Sequence, residues 1–315
     1  MKKKMKIAVF FVGEVQDAGF NSSALAGAMA TADEGLAEIS IISGVRYDQD
    51  AIRARLAEVV PNIDGLVFVG GQGNVASCEI AASYPEKKFA LVQGEKIAQN
   101  LASYDVRQEE SAFLAGVLAA RLTKTGTVGH LSGHRVPPGL KGRAAFVAGV
   151  AHADRNVRVL TGFCGTQDDR GATKAWTSAE IAAGADIIFT MLNDARPGAI
   201  AACRDAGVRQ IGNVLDWVKT DPEVFVASAI ARIDLGVKRA LADMVMRITP
   251  DKIVELGLAD GEFVSLSLGS DVSASTTEFV ANVAEGIREG TILIPTIYDG
   301  PEFQLEEDKL CVTEI

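Results

Sequence analysis

Short polar loops that bunch histidine, hydroxyl, amide and carboxylate side chains are the places where this chain has the means for chemistry. His130-Leu-Ser132-Gly-His134 sets a hydroxyl between two imidazoles, the residue types of a metal site or an activated nucleophile. A protein metal site takes three or more such ligands. The chain has 3 histidines in all, with no carboxylate at ligand-like spacing beside this pair, so no metal is expected. No Gly-x-Ser-x-Gly elbow and no phosphate-cradling P-loop occurs. Gly71-Gln-Gly73-Asn-Val-Ala76 imitates the glycine turn that offers backbone N–H groups to a pyrophosphate. That turn belongs after the first strand of its unit and this one follows the third, so neither NAD nor FAD is expected and the chain needs no cofactor. Gln72 and Gln93 still fall where loops after strands line a ligand edge. Asp168-Asp169-Arg170 reads as a charged turn that caps the next helix, with Asp169 structural. One unit further on, Asn193 can offer a heterocycle both a donor and an acceptor. Cys78, Cys164, Cys203 and Cys311 are far apart with no CxxC pair, which predicts buried, reduced thiols.

The elements that must hold these loops alternate regularly. Lys6 to Val12, Ile39 to Ile42, Leu66 to Val69 and Phe89 to Val92 are short apolar runs. Helical stretches near 22–34, 50–59 and 74–83 separate them. Glu110 to Arg121 forms a helix with Phe113, Leu114, Val117, Leu118 and Leu122 on one face. Strands over 127–131, 157–163, 186–190 and 224–228, with a short strand edge at 210–212, then alternate with helices over 140–153, 171–183 and 197–206. Such runs mean parallel βαβ units buried on both faces. Right-handed crossovers bring the loops after every strand to one edge. The expected fold is α/β: two doubly wound, Rossmann-like lobes facing across a cleft. A helix from 229 to 247, a strand over 262–268 and a helix over 276–289 are too few for a third domain. The chain therefore crosses between lobes three times, near 103–106, 226–229 and 265–271. This gives an N-terminal lobe of 1–104 with 229–264, a C-terminal lobe of 105–228 with 265–298, and an acidic, irregular tail of 299–315 with no assigned chemistry.

At 315 residues and 48% hydrophobic content the chain can bury a sizeable core. Its net charge of -10, without a basic patch, argues against nucleic acid or an anionic membrane as partner. No apolar run approaches a membrane span. MKKKMKIAVFFVG resembles the start of a signal peptide, but its apolar run of 7 residues leads into GEVQDAGFN without a cleavage site and reads as the first strand. The expected setting is cytoplasmic as written, and periplasmic or lipid-anchored if a leader has been removed.

Six segments occur in one family's order: Asp17-Ala-Gly-Phe20-Asn21, Tyr84-Pro-Glu-Lys-Lys-Phe89, Glu110-Ser-Ala-Phe-Leu-Ala-Gly116, Thr123-Lys-Thr-Gly126, Phe146-Val-Ala-Gly149 and Gly184-Ala-Asp-Ile-Ile-Phe189. Together they resemble the basic membrane protein family, whose studied members are purine-nucleoside substrate-binding proteins of ABC transporters. The resemblance runs over about 6–295 and implies a type I periplasmic binding protein fold with a three-stranded hinge. It places Asp17, Phe20 and Asn21 in the wall of the N-terminal lobe, Phe20 stacking on a flat ring and Asp17 or Asn21 bonding its edge. A plainer reading makes Phe20 a staple and Asn21 a helix N-cap. Where the family carries an acid this chain has Gln108, and where it carries an aromatic in a Gly-Ser-aromatic turn this chain reads Gly165-Thr166-Gln167. Trp217 would replace that second ring wall. Of two family aspartates for ribose hydroxyls only Asp216 remains, with Val214 at the other position. These departures point to a free base or another small polar heterocycle.

The first expectation is thus a binding protein that closes on a purine-like ligand by hinge bending, with an ABC permease as partner and no reaction. The alternative is a cytoplasmic sensor or enzyme acting on a purine-related heterocycle, for which His130, His134, Asp169 and Asp216 are the candidate groups. A structural interaction module fits poorly with loops so rich in Gln, Asn and Asp.

Overall fold

The computed structural model describes residues 4–305. Cys311 and the tail beyond 305 lie outside the described residues, as do residues 1–3. In chain order the elements are β1 (Lys6–Val12), α1 (Phe20–Asp33), β2 (Glu38–Val45), α2 (Gln49–Val59), β3 (Gly65–Val69), α3 (Asn74–Ser83), β4 (Lys88–Val92) and β5 (Leu101–Val106). Then come α4 (Gln108–Leu122), β6 (Thr127–Ser132), α5 (Pro137–Ala153), β7 (Arg158–Phe163), α6 (Arg170–Ala182), β8 (Ile187–Met191), α7 (Arg196–Ala206), β9 (Arg209–Val214), α8 (Trp217–Thr220) and β10 (Phe225–Ala231). The chain ends its regular structure with α9 (Ile233–Val245), β11 (Val254–Leu256), β12 (Val264–Leu268) and α10 (Ala274–Arg288).

These elements form two units, 4–107 with 232–263 and 108–231 with 264–305. The first holds a six-stranded sheet in the order β11-β5-β4-β3-β1-β2, the second one in the order β12-β10-β9-β8-β6-β7. Every pairing is parallel except β12 against β10. Parallel strands are covered by helices on both faces, which is why β1 is buried from Ile7 to Val12 and β3 throughout. Phe10 stacks on Phe68 at 4.9 Å inside the first unit, and Phe146 on Phe189 at 5.0 Å inside the second.

Several expectations need correcting. Residues 103–106 are the C-terminal part of β5, 226–229 lie within β10 and 265–271 begin inside β12; the chain passes between units a few residues away, at 107/108, 231/232 and 263/264. β5 escaped the sequence pattern because Ser103, Tyr104 and Asp105 interrupt it. Tyr104 can be buried there because its hydroxyl donates to Asp243 Oδ2 at 3.0 Å. β9 is a six-residue interior strand and not a short edge; Gln210 is tolerated inside because its amide donates to Thr190 Oγ1 at 2.8 Å. The segment 299–305 is packed on the second unit: Phe303 N–H donates to Thr161 O of the edge strand β7 at 2.8 Å, and its ring meets Trp176 edge-on.

Candidate functional site

In each sheet the first strand in chain order sits between neighbours whose connections run in opposite directions. The crevice at such a switch point, outside the carboxyl ends of the strands, is where doubly wound sheets bind ligands. In the first unit it lies between the loops after β1 and β3. In the second it lies between those after β6 and β8.

On the first unit, Asp17 is 3% exposed and spends its carboxylate on the start of α1, Oδ1 accepting from Gly19 N (3.0 Å) and Ser22 N (2.9 Å), Oδ2 from Asn21 N (2.9 Å). Asn21 is the second helical residue, and its Nδ2 donates to Val12 O and Glu14 O, both at 2.9 Å. The N-cap of the helix is Gly19 and not Asn21. Both brace the loop from behind, and the half-buried Phe20 opens the helix between them. Gln93 is tied to the backbone of the next strand. Its side chain donates to Val106 O (3.0 Å) and accepts from Val106 N (2.8 Å), prolonging the pairing of β4 with β5 as a ladder would. Gln72 is half-buried on the turn after β3, its side chain folded over Gly70. Tyr47, after β2, was missed by the sequence reading; its ring stands beside Gly13 at the same edge, and an aromatic in the polar Arg46-Tyr47-Asp48 turn was the available signal.

On the second unit, Gln108 is 6% exposed at the first position of α4. Gln167 ties the loops after β7 and β8 together, its Oε1 accepting from Asn193 N at 3.2 Å. Trp217 is held in place by its neighbours. Its indole N–H donates to Asn213 O at 3.1 Å, its ring packs on Gly212 and Phe225, and the Arg196 guanidinium lies 4.4 Å from its centroid. Arg196 is 1% exposed and donates to Asn213 Oδ1 at 2.7 Å. Sequence reasoning missed it, although a cation at the first turn of a helix, against the helix dipole, was a signal that something else holds it there. Asp216 pairs through Oδ2 with Lys219 Nζ at 3.0 Å, while its Oδ1 is buried without a hydrogen-bond partner.

Backbone strain gathers at the same edges. Three of the four non-glycine residues with positive φ among the described residues are Ala18, in the loop from β1 to α1, and Gln93 and Val214, at the ends of β4 and β9. β4 and β9 hold equivalent places in the two sheets. For a β-branched residue such as Val214 this conformation is a true outlier, of the kind that persists where a site dictates it.

The groups an enzyme would use are mostly committed. His130 is fully buried between Thr161 Oγ1 and Ser132 Oγ, each at 2.9 Å, and burial with the nearby Arg143 charge pushes its pKa down to about 3. It is a neutral core histidine. Asp169 caps α6 through Ala172 N at 2.9 Å, as its charged turn predicted. Burial raises the Cys164 thiol and pushes Cys203 up to about 12, so both stay protonated. Among the described residues no group of histidine, cysteine and carboxylate side chains is placed to hold a metal, and no helix is long and apolar enough to cross a membrane.

Residues 4–267 match the family model Bmp, described as ABC transporter substrate-binding protein PnrA-like. A purine-binding protein of Brucella abortus is 25% identical over 73% of this chain and 65% of its own length, so the chain spans just under two thirds of that relative. An uncharacterized lipoprotein of Pyrococcus furiosus is 26% identical over 82% of this chain and 69% of its own length. Among solved structures, an ABC transporter solute-binding protein of Aeropyrum pernix matches with a TM-score of 0.82 at 22% identity, covering 93% of this chain and 94% of that one. A solute-binding protein of Conexibacter woesei matches with a TM-score of 0.70 at 18% identity, covering 94% of this chain and 100% of that one. At such identities the structural likeness speaks for the fold, that of type I periplasmic binding proteins.

Proposed function

The chain belongs to the Bmp family of PnrA-like ABC transporter substrate-binding proteins, and from that premise we propose that it binds a purine base for delivery to an ABC permease. The observation that carries this is Asp216. An acceptor buried without a donor costs about 1–3 kcal/mol, and Oδ1 of this residue is such an acceptor at the ligand edge of β9. A ring N–H or a ribose hydroxyl would satisfy it. Gln108 and Gln167 bring amides where the resemblance expects an acid and an aromatic, which suits a neutral heterocycle with both donors and acceptors on its rim. Phe20 offers a ring face, and Gln72 and Asn193 add directed polar contacts from their loops. Asp17, Asn21 and Gln93 shape the edge without touching ligand. The name of the Brucella relative supports a purine as ligand.

In this reading binding and release of the ligand are the whole mechanism. No bond is made or broken. The setting is periplasmic or lipid-anchored, in line with the lipoprotein among the relatives. Thermal shift assays with adenine, guanine and hypoxanthine against their nucleosides test it. The bases raise the melting temperature, and Asp216→Asn weakens their binding roughly 10–100-fold, as expected for a hydrogen bond to a charged acceptor. Stabilisation by nucleosides alone would replace the base by the nucleoside. No response to either class would refute a purine ligand.

A further inference from the structure

Beside the loop after β6, the second unit carries a recognition feature that the ligand reading does not use. Arg135 from that loop and Arg143 from the second turn of α5 converge on one carboxylate. Both donate to Glu302 Oε1, at 3.0 Å and 2.7 Å, and Arg135 also donates to Oε2. Their guanidinium carbons lie 4.7 Å and 5.2 Å from the Phe163 ring centroid, and Tyr298 covers Arg143 at 4.5 Å. Arg143 is 5% exposed, and its Nε is buried without a hydrogen-bond partner. Two aromatic-backed guanidinium groups forking onto one pair of oxygens is the arrangement that recognises carboxylate and phosphate. An exposed ion pair would need neither the second cation nor the buried one. The occupant is delivered from the chain itself, since the Phe303 N–H bond to Thr161 O fixes the segment that carries Glu302 along edge strand β7.

We propose that Arg135, Arg143 and Phe163 form an oxyanion site at the ligand-facing edge of the second unit, that Glu302 fills it, and that Glu302 thereby excludes phosphorylated analogues of the ligand. The exclusion rests on the purine reading; the oxyanion site does not. With two cations against one carboxylate, removing Glu302 leaves a doubly charged pocket lined by aromatic rings. A phosphate group is then the natural replacement.

The test uses the whole chain with Glu302→Ala, and Glu302→Gln as the variant that keeps the side-chain volume should the alanine variant fail to fold. Thermal unfolding is followed in inorganic phosphate and in potassium chloride at matched ionic strength. The wild type responds alike to both salts, whereas the variants gain roughly 2–4 °C more in phosphate. Adding Arg135→Met, at an exposed arginine, abolishes that excess. In parallel, the ratio of affinities for adenosine 5′-monophosphate and adenine shifts at least about tenfold toward the monophosphate in Glu302→Ala, one bidentate contact being worth that much. Equal salt responses in wild type and variants overturn the site. A phosphate response with an unchanged affinity ratio overturns the exclusion. A wild type that binds no purine sinks the purine reading and the exclusion with it, while the phosphate comparison still decides the site.

Discussion

Polar residues at the strand ends mostly serve the backbone beside them. Asp17 holds three N–H groups of one helix start, so Asp17→Ala is expected to cost about 1–2 kcal/mol in urea unfolding. Glu180 behaves oppositely. It is fully buried on α6 against Gly129, both carboxylate oxygens lack hydrogen-bond partners, and burial lifts its pKa well above the ordinary 4.5. A carboxyl whose folded pKa exceeds its unfolded one favours the folded state most below about 4.5 and loses that contribution as pH rises toward the folded value. Glu180→Gln, which cannot ionise, should therefore unfold with a flatter pH dependence between pH 5 and 8 and gain on the wild type toward the alkaline side. Parallel slopes for the two proteins would refute a buried neutral carboxyl. At this scale the sequence shows residue types but not commitments: Gln93 and Gln72 look equivalent in the chain, and only the Val106 backbone beside one of them separates a clamp from a candidate ligand group.

Between elements, the recurring segments turn out to be joints. Asp186 accepts from Thr123 Oγ1 and Lys124 N, both at 2.6 Å, and from Thr125 N at 3.0 Å, so the Thr123 to Gly126 turn and the Gly184 to Phe189 strand start form one fastening below β6 and β8. Asp186→Ala should cost roughly 1–3 kcal/mol by removing three hydrogen bonds to a charged acceptor. Gly116 and Gly149 let α4 and α5 touch: a Cβ on either would lie 2.1 Å from a backbone oxygen of the other helix, Phe146 O and Phe113 O. Gly149→Ala is expected to destabilise by about 1–3 kcal/mol or more through overpacking. Chemical denaturation reads both effects, and a change under about 0.5 kcal/mol, ordinary for a surface substitution, would show that the helices can move apart freely. The apolar runs predicted these helices and strands to within a few residues, because a buried parallel strand must be apolar on both faces. β5 and β9 were blurred where a polar side chain is matched by a partner distant in the chain.

For the whole molecule, two units with separate sheets and cores are expected to melt as more than one calorimetric step. A purine at about 100 times its dissociation constant should add about 2.7 kcal/mol to the folded state, and calorimetry that shows no rise at that saturation contradicts binding to the native chain. The alternation of strands and helices, read from the sequence alone, determined an α/β fold in two parts, because the period of apolar residues reports how each segment is buried. The ordered segments likewise pointed to the family. What only the tertiary structure decided is which side chains are spent and which are left over. Asp17, Asn21, Gln93 and Trp217 meet their partners inside the fold, Asp216 keeps an unmatched oxygen, and Glu302, in a tail that looked featureless, meets two arginines more than 150 positions earlier. Hydrogen-bond satisfaction depends on neighbours in space, and no spacing along the chain encodes it.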